Sequence, residues 1–412
     1  MKEKKIYIGT DSVMNSMLSS IQEGIIKHQS NFFKVQKFTE DLVHNRTYVN
    51  CMFPSFPGRA WDRFFEGTYR VSKGENVPLW MDIVVTGRCH CNCWHCFRSS
   101  YKDNGDLEIE VIKRTIDEAY EAGTTVIGIT GGEPMLRDDI LDILKLIPDG
   151  MEGLFYTTGY KIDNSFAKKL SKTNVTRCLI SLDHYDEKIV NTMRGYPKAY
   201  EMTMTAIKAL KEANIYTGVT LCVTDDLCDR EVFYKYINFV RELGADEIRV
   251  ILPIPQGNLE GKNYKRLYIN AMKWTREIHE KSLKNPNYPN ILLFSQLESH
   301  NFIGCGAGYT YVTINNDGAL TPCVCVPLTF GNVKEDGFIS AYSKINSLFK
   351  GTGKTCYGKR VSKAMKEEIK DGMLAPYNEE VSKKIANKCI VNDGIAKFYD
   401  NLKNYEVKEN DA

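Results

Sequence analysis

The stretch Leu79-Trp-Met-Asp-Ile-Val-Val-Thr-Gly-Arg-Cys-His-Cys-Asn-Cys-Trp-His-Cys96 decides the fold of this chain. A short β-branched run, Met81–Thr86, is followed at once by four cysteines crowded between positions 89 and 96. Working outward, the same kind of run returns at Thr125–Thr130, Gly153–Thr158, Thr176–Leu182, Tyr216–Val223 and Glu247–Ile254. Between the runs, apolar residues recur at helical spacing. Ile112, Ile116, Ala119 and Tyr120 do so first, then Ile140, Leu141, Leu144 and Ile147, then Val232, Tyr236, Phe239, Val240 and Leu243. Six strand–helix units in alternation imply an α/β fold with a parallel sheet and right-handed crossovers. A full barrel takes eight units, so the pattern predicts a curved, partial (β/α)6 barrel. Chemistry in such sheets sits at the C-terminal ends of the strands, where the cysteine loop lies.

Within that loop Cys89, Cys93 and Cys96 fit the spacing Cys-x3-Cys-x2-Cys. Thiolates are iron–sulfur ligands, and a compact loop can present three of them to three irons of one cube. The fourth iron then lacks a protein ligand and is open to a small molecule. Cys91 does not fit the spacing and reads as a bystander. The competing reading is a zinc knuckle on Cys93-x2-Cys96, which needs a second pair and finds only the poorly spaced Cys323-x-Cys325. Gly131-Gly132-Glu133-Pro134 follows the second strand on the same rim. Two glycines allow close approach to the backbone, and Glu133 can accept from an ammonium group. A plain strand-to-helix turn would use the same residues.

The pairing of Cys89-x3-Cys93-x2-Cys96 with Gly-Gly-Glu-Pro resembles the radical S-adenosylmethionine (radical SAM) superfamily over about residues 79–295. That resemblance implies a 4Fe–4S cluster on Cys89, Cys93 and Cys96, with SAM bound at its open iron. SAM is cleaved reductively and a hydrogen atom is then abstracted from substrate. It also implies that Gly131, Gly132, Glu133 and Pro134 hold the methionine amino group, and that Thr158, with Thr157 and Gly159, lies beside the ribose. Ser181 and Asp183 match the fourth-strand Ser-x-Asp motif, Arg194 the arginine that pairs with the SAM carboxylate, and Leu252, before Pro253, the adenine flank. His95 stands where the family often has an aromatic residue against adenine.

A second cysteine region begins at Cys305 and runs through Gly318 to Cys323, with Asp317-Gly318 at a hairpin turn. It resembles the first half of the SPASM/twitch extension, without that extension's dense later cysteines. The resemblance implies a small C-terminal iron–sulfur extension with one auxiliary 4Fe–4S cluster. Cys305, Cys323 and Cys356 would be its ligands, with Cys325 or Cys389 as a fourth. Cys51, Cys178 and Cys228 read as small buried hydrophobes. Thr220, Cys222 and Thr224 share one strand face, which places Cys222 in the barrel lumen as a candidate hydrogen-atom donor.

The expected division is residues 1–79, of uncertain fold, then the barrel at 80–295 and the extension at 296–412. The aromatic cluster Trp61, Phe64 and Phe65 reads as core. A formal charge of +2 over 412 residues predicts no nucleic-acid partner. No apolar run reaches 18 residues, so no membrane span is expected. Thirteen cysteines without an export signal predict a cytoplasmic protein with reduced thiols. Family frequency favours a peptide or protein side chain as substrate, over a tetrapyrrole, sugar or lipid precursor. A ferredoxin or flavodoxin is the expected reductant. A plain electron carrier or zinc protein is the non-enzymatic alternative.

Overall fold

A computed structural model describes residues 6–8, 25, 29–33, 36–101, 105–260, 265–370 and 372–406. All six expected strands form: β4 (Trp80–Val84), β5 (Val126–Thr130), β6 (Glu152–Thr157), β7 (Val175–Ser181), β8 (Tyr216–Cys222) and β9 (Glu247–Ile251). They lie side by side in chain order, every neighbouring pair parallel. β9 stops before the expected Ile254, because Pro253 has no N–H to offer the ladder. The helices between them include α2 (Ile109–Ala122), α5 (Glu187–Arg194), α6 (Ala199–Glu212) and α7 (Arg230–Glu242), with α3 (Ile140–Lys145) and α4 (Asn164–Leu170) the short ones. α8 (Lys265–Leu283) leads to β10 (Asn290–Leu293), which extends the sheet in parallel beyond β9.

The other edge carries a correction. β11 (Tyr311–Ile314) pairs parallel with β4, and β12 (Leu320–Thr321) closes the expected hairpin against it. The sheet therefore has nine strands, and it crosses the boundary expected at residue 296. Hydrogen bonding explains why: β4 opens the barrel sheet, and its free edge would expose unpaired backbone groups. The hairpin that leads to the second cysteine region covers that edge.

Residues before β4 also join the barrel. β1 (Ile6–Ile8), β2 (Lys37–Asp41) and β3 (Arg46–Tyr48) form a separate antiparallel sheet. The chain after β3 then plugs the N-terminal mouth of the barrel, held by the residues at the bottoms of its strands. Trp80 donates to the Met52 carbonyl at 2.6 Å, and Arg177 donates to that of Phe53. Glu152 accepts from the Ser55 amide and hydroxyl, and Glu247 from the Cys51 amide at 3.0 Å. Behind the plug, α1 (Arg59–Ser72) buries Trp61, Phe64 and Phe65 completely, as expected of core. Each fully buried ring contributes roughly 1.5–3 kcal/mol. With the lower mouth filled, the upper rim is left for chemistry.

Candidate active site

The cysteine loop leaves β4 and is gripped from three sides. Gly132 N–H donates to the Thr86 carbonyl at 2.9 Å, and Glu133 N–H to that of Arg88 at 2.8 Å. The end of α5 offers the Arg194 carbonyl to Asn92 N–H and the Met193 carbonyl to Trp94 N–H. Beyond β9, Asn258 donates its side-chain amide to the Cys93 carbonyl and its backbone N–H to that of Cys96. Glycines permit this packing. A Cβ at Gly132 would stand 2.3 Å from the Arg88 oxygen, and one at Gly257 equally close to that of Cys96. The sequence assigned Gly131 and Gly132 to ligand approach; in the structure their faces are filled by the backbone of Thr86–Arg88.

Glu133 is a second correction. Its carboxylate is fully buried and accepts from Thr157 Oγ1 and Thr158 Oγ1 at 2.6 Å, Thr158 N–H at 2.7 Å and Met135 N–H at 3.1 Å. Four donors use the lone pairs of both oxygens. Glu133 thus straps the β5 turn to the end of β6, and the Thr158 hydroxyl is engaged in that strap. Pro134 starts the next helical turn.

Arg194 differs likewise from expectation. It is buried, forms an ion pair with Asp183, and places Nη1 3.7 Å from Cys93 Sγ. Asp183 also accepts from Cys222 N–H at 3.0 Å. The Arg194 Nε still lacks a partner among the described residues, as do both ring nitrogens of His90, His95 Nδ1, Trp94 Nε1 and Thr220 Oγ1. Buried polar atoms are normally satisfied, so this concentration fits a polar group seated on the loop. Ser181 ends β7 half-buried beside Thr220, and Leu252 is buried just past β9. Burial lowers His95 to about 4, so its ring is neutral at pH 7. A neutral ring can serve as the flat partner expected there.

The three thiols are not alike. Contact with the Cys91 thiol lowers Cys89, and lowers Cys93 to about 6 with the Arg194 guanidinium adding to the effect. Burial raises Cys96. Cys91 is no remote bystander: its contacts with Cys89 and Cys93 push it up, so it remains a protonated thiol between them, and its backbone N–H donates to Cys89 Sγ. A single tetrahedral zinc needs sulfurs about 3.8 Å apart. Among the described residues one trio of metal-type ligand atoms lies within 4.8 Å, Cys89, His90 and Cys91, and the Cys93–Cys96 pair of a zinc knuckle is not in it. Cys89, Cys93 and Cys96, with two acidified thiols and a cation alongside, suit an anionic cluster.

The second region assembles at one end of the hairpin. Cys305 pairs through its backbone with Gly353, and its sulfur accepts from Tyr357 N–H at the start of a helix over Tyr357–Glu368. Cys323 and Cys325 adjoin one another, and the Cys323 charge is felt at Cys356. The Cys389 thiol donates to the Arg360 carbonyl at 3.7 Å. Two residues here carried no sequence signal. Glu298 faces Cys305, Cys323 and Cys356, and its own desolvation raises it to about 7. Arg98 bonds Asn315 at 3.0 Å and Asn316 at 3.1 Å, tying the cluster loop to the hairpin turn. Cys222, expected in the lumen, is buried at the end of β8, and its N–H donates to Asp183.

Comparison with known proteins agrees with this geometry. Residues 83–237 match the family model of the radical SAM superfamily. An AdoMet-dependent heme synthase of Methanosarcina barkeri is 25% identical over 286 residues, which are 64% of this chain and 81% of that one. The antilisterial bacteriocin subtilosin biosynthesis protein AlbA of Bacillus subtilis is 24% identical over 272 residues, 65% of this chain and 60% of its own. SuiB of Streptococcus suis, solved with precursor peptide SuiA, superposes with a TM-score of 0.59 at 17% identity, covering 78% of this chain and 80% of SuiB. At that identity the likeness is one of fold. No helix among the described residues is long and apolar enough to cross a membrane.

Proposed function

Since the chain belongs to the radical SAM superfamily, we propose that it modifies a peptide or protein side chain, with Cys89, Cys93 and Cys96 holding the 4Fe–4S cluster that binds SAM. When bound, the cluster and SAM supply hydrogen-atom abstraction at an unactivated carbon. The chain's own residues prepare the place. Arg194 and Cys91 favour the thiolate forms of Cys93 and Cys89. The Gly131–Pro134 turn, closed from below by Glu133, offers carbonyls to an ammonium group. Neutral His95 and apolar Leu252 flank a flat heterocycle. Cys222, whose N–H donates to the Asp183 that pairs with Arg194, would return a hydrogen atom to substrate. Cys305, Cys323 and Cys356, with Cys325 beside them, would hold one auxiliary 4Fe–4S cluster. A small reductant such as a ferredoxin or flavodoxin would supply electrons, and thiolate chemistry on this scale suits a reducing cytoplasm.

The observation that carries the reading is the set of unpartnered buried polar atoms around an acidified three-thiol loop. Peptide chemistry is favoured because AlbA is named for bacteriocin biosynthesis and SuiB was solved with a precursor peptide. The heme synthase likeness keeps a tetrapyrrole substrate as the second reading. Anaerobic reconstitution with iron and sulfide, then SAM and dithionite, tests the first part. 5′-Deoxyadenosine should form, and should vanish when Cys89, Cys93 and Cys96 are alanine. Zinc in the reconstituted protein, or turnover without those thiols, would overturn it.

A further inference from the structure

Halfway down the barrel, one side chain reaches across the lumen. Arg249 sits on β9, yet its Nη1 donates to the Tyr156 hydroxyl on β6 at 3.1 Å, and its charge is felt by Asp82 on β4. Contacts to strands three and five places away are possible only through the interior of the barrel. Its guanidinium carbon lies 4.2 Å from the centre of the Phe294 ring, which fixes its plane. Gly128 on β5 makes the room: a Cβ there would stand 1.9 Å from Asp82 Oδ1 and 2.8 Å from the Tyr156 ring.

The cation is poorly satisfied for so buried a group. A guanidinium carries five donors in a planar fork, and here one bond to a neutral phenol is formed. Nε is buried without a partner, and no carboxylate among the described residues forms an ion pair with it. The carboxylates of Asp82, Glu247 and Glu298 feel its charge without bonding it, and Asp82 accepts instead from the Tyr311 hydroxyl at 2.5 Å. Arg249 is 8% exposed, so the lumen still reaches it. A buried cation left without a hydrogen-bonded anion is costly, and this one lies inside the barrel among Tyr156, Phe294 and Asp82.

We propose that Arg249, oriented by Tyr156 and Phe294, is the seat for a carboxylate of the substrate. The proposal rests on the C-terminal mouth being the active site, and it narrows the substrate to an acid. A glutamate or aspartate side chain, a peptide C-terminus or the propionate of a tetrapyrrole would each supply the group. Bidentate pairing with Nε and Nη2 would complete the fork and hold the neighbouring carbons at a fixed depth below the rim.

Binding can be measured on reconstituted, SAM-loaded holoenzyme without reductant, so a failure here is separate from a failure to cleave SAM. The probes are N-acetylglutamate α-amide against its glutamine counterpart, and coproporphyrin against its methyl ester. At least one acid should bind about tenfold tighter than its neutral partner, the size expected of a charge-assisted pair; which pair discriminates identifies the source. Arg249→Gln should abolish the preference and Arg249→Lys should keep part of it. Asp82→Asn, which removes the competing negative charge, should raise affinity for the acid. The proposal is overturned if neither acid is preferred, or if folded Arg249→Gln, with unchanged melting and cluster absorbance, prefers it as strongly. Should Arg249→Gln fail to fold, unchanged acid affinity in Asp82→Asn would overturn it.

Discussion

The cluster loop and the second cysteine region use the same side chain under opposite conditions. In the loop, Cys91 touches both Cys89 and Cys93, Cys93 also meets a guanidinium, and these two thiols are driven toward the thiolate. In the second region, thiols brought from 305, 323 and 356 are driven the other way, chiefly by burial at Cys305 and Cys356 and by the Cys325 thiol at Cys323. Burial of Cys305 raises it far above 9.0, and Cys356 reaches about 12. The loop is ready to bind metal as folded. The second region needs the metal itself to displace protons, so its binding is the more pH-dependent of the two.

The largest expected contrast comes from deleting each set. Alanine at Cys89, Cys93 and Cys96 should lower reductive SAM cleavage at least 10³-fold, equivalent to about 4 kcal/mol of barrier. Alanine at Cys305, Cys323 and Cys356 should remove about four irons per chain, one cube, on iron analysis. It should leave SAM cleavage without substrate within about threefold, as expected of independent sites. Equal loss of cleavage from both sets would mean that the regions are one site, coupled through Arg98.

How far each region was legible follows from its chain geometry. The loop spans eight positions, so spacing alone exposed it, and the six strands were read from local β-branched runs. The partners of Glu133 and Arg194 were not legible. Glu133 receives donors from Thr157 and Thr158, over twenty residues away, and Arg194 finds Asp183 only once β7 and α5 are packed. The plug at the lower mouth and the β4–β11 pairing join segments far apart in sequence, a relation that no periodicity encodes. Glu298 and Arg249 are ordinary charged residues in the sequence, and only their desolvated surroundings in the fold make them unusual.

A smaller effect probes how the loop is seated. Gly132→Ala would put a methyl 2.3 Å from the Arg88 carbonyl, against backbone that is held by its own bonds to Glu133. The loop must move, at a cost of about 2–4 kcal/mol. Thermal unfolding should drop accordingly and the loop should hold iron less tightly, while Gly74→Ala, whose added methyl meets open space, should cost only its backbone strain. Comparable losses in the two variants would show that the turn does not seat the loop.

The acidity difference can be read directly in metal-free, reduced protein. A thiol lowered from 9.0 to about 6 is mostly thiolate at pH 7.5 and becomes protonated as pH falls through 6. The stability it adds is full above 9 and is lost along the same descent. Cys93 should therefore react with iodoacetamide at pH 7.5, slowing about tenfold by pH 5 as the thiolate fraction falls. Cys305, buried and protonated, should stay unlabelled until the protein unfolds. Mass spectrometry of the labelled peptides separates the two. Equal labelling would remove the contrast drawn above.

The slightest effect decides where the second region ends. Cys389 and Cys356 are both half-buried, and either could be assigned to a cluster from sequence. In the structure Cys356 shares its field with Glu298 and Cys323, whereas Cys389 turns its thiol to the Arg360 carbonyl. A thiol–carbonyl contact at 3.7 Å is weak, so Cys389→Ala should cost under about 1 kcal/mol and leave iron content unchanged. Cys356→Ala should lower iron on the same preparation. If Cys389→Ala loses iron instead, metal binding must draw its thiol off the Arg360 carbonyl, and the second region is then shaped by its metal where the first is shaped by its chain.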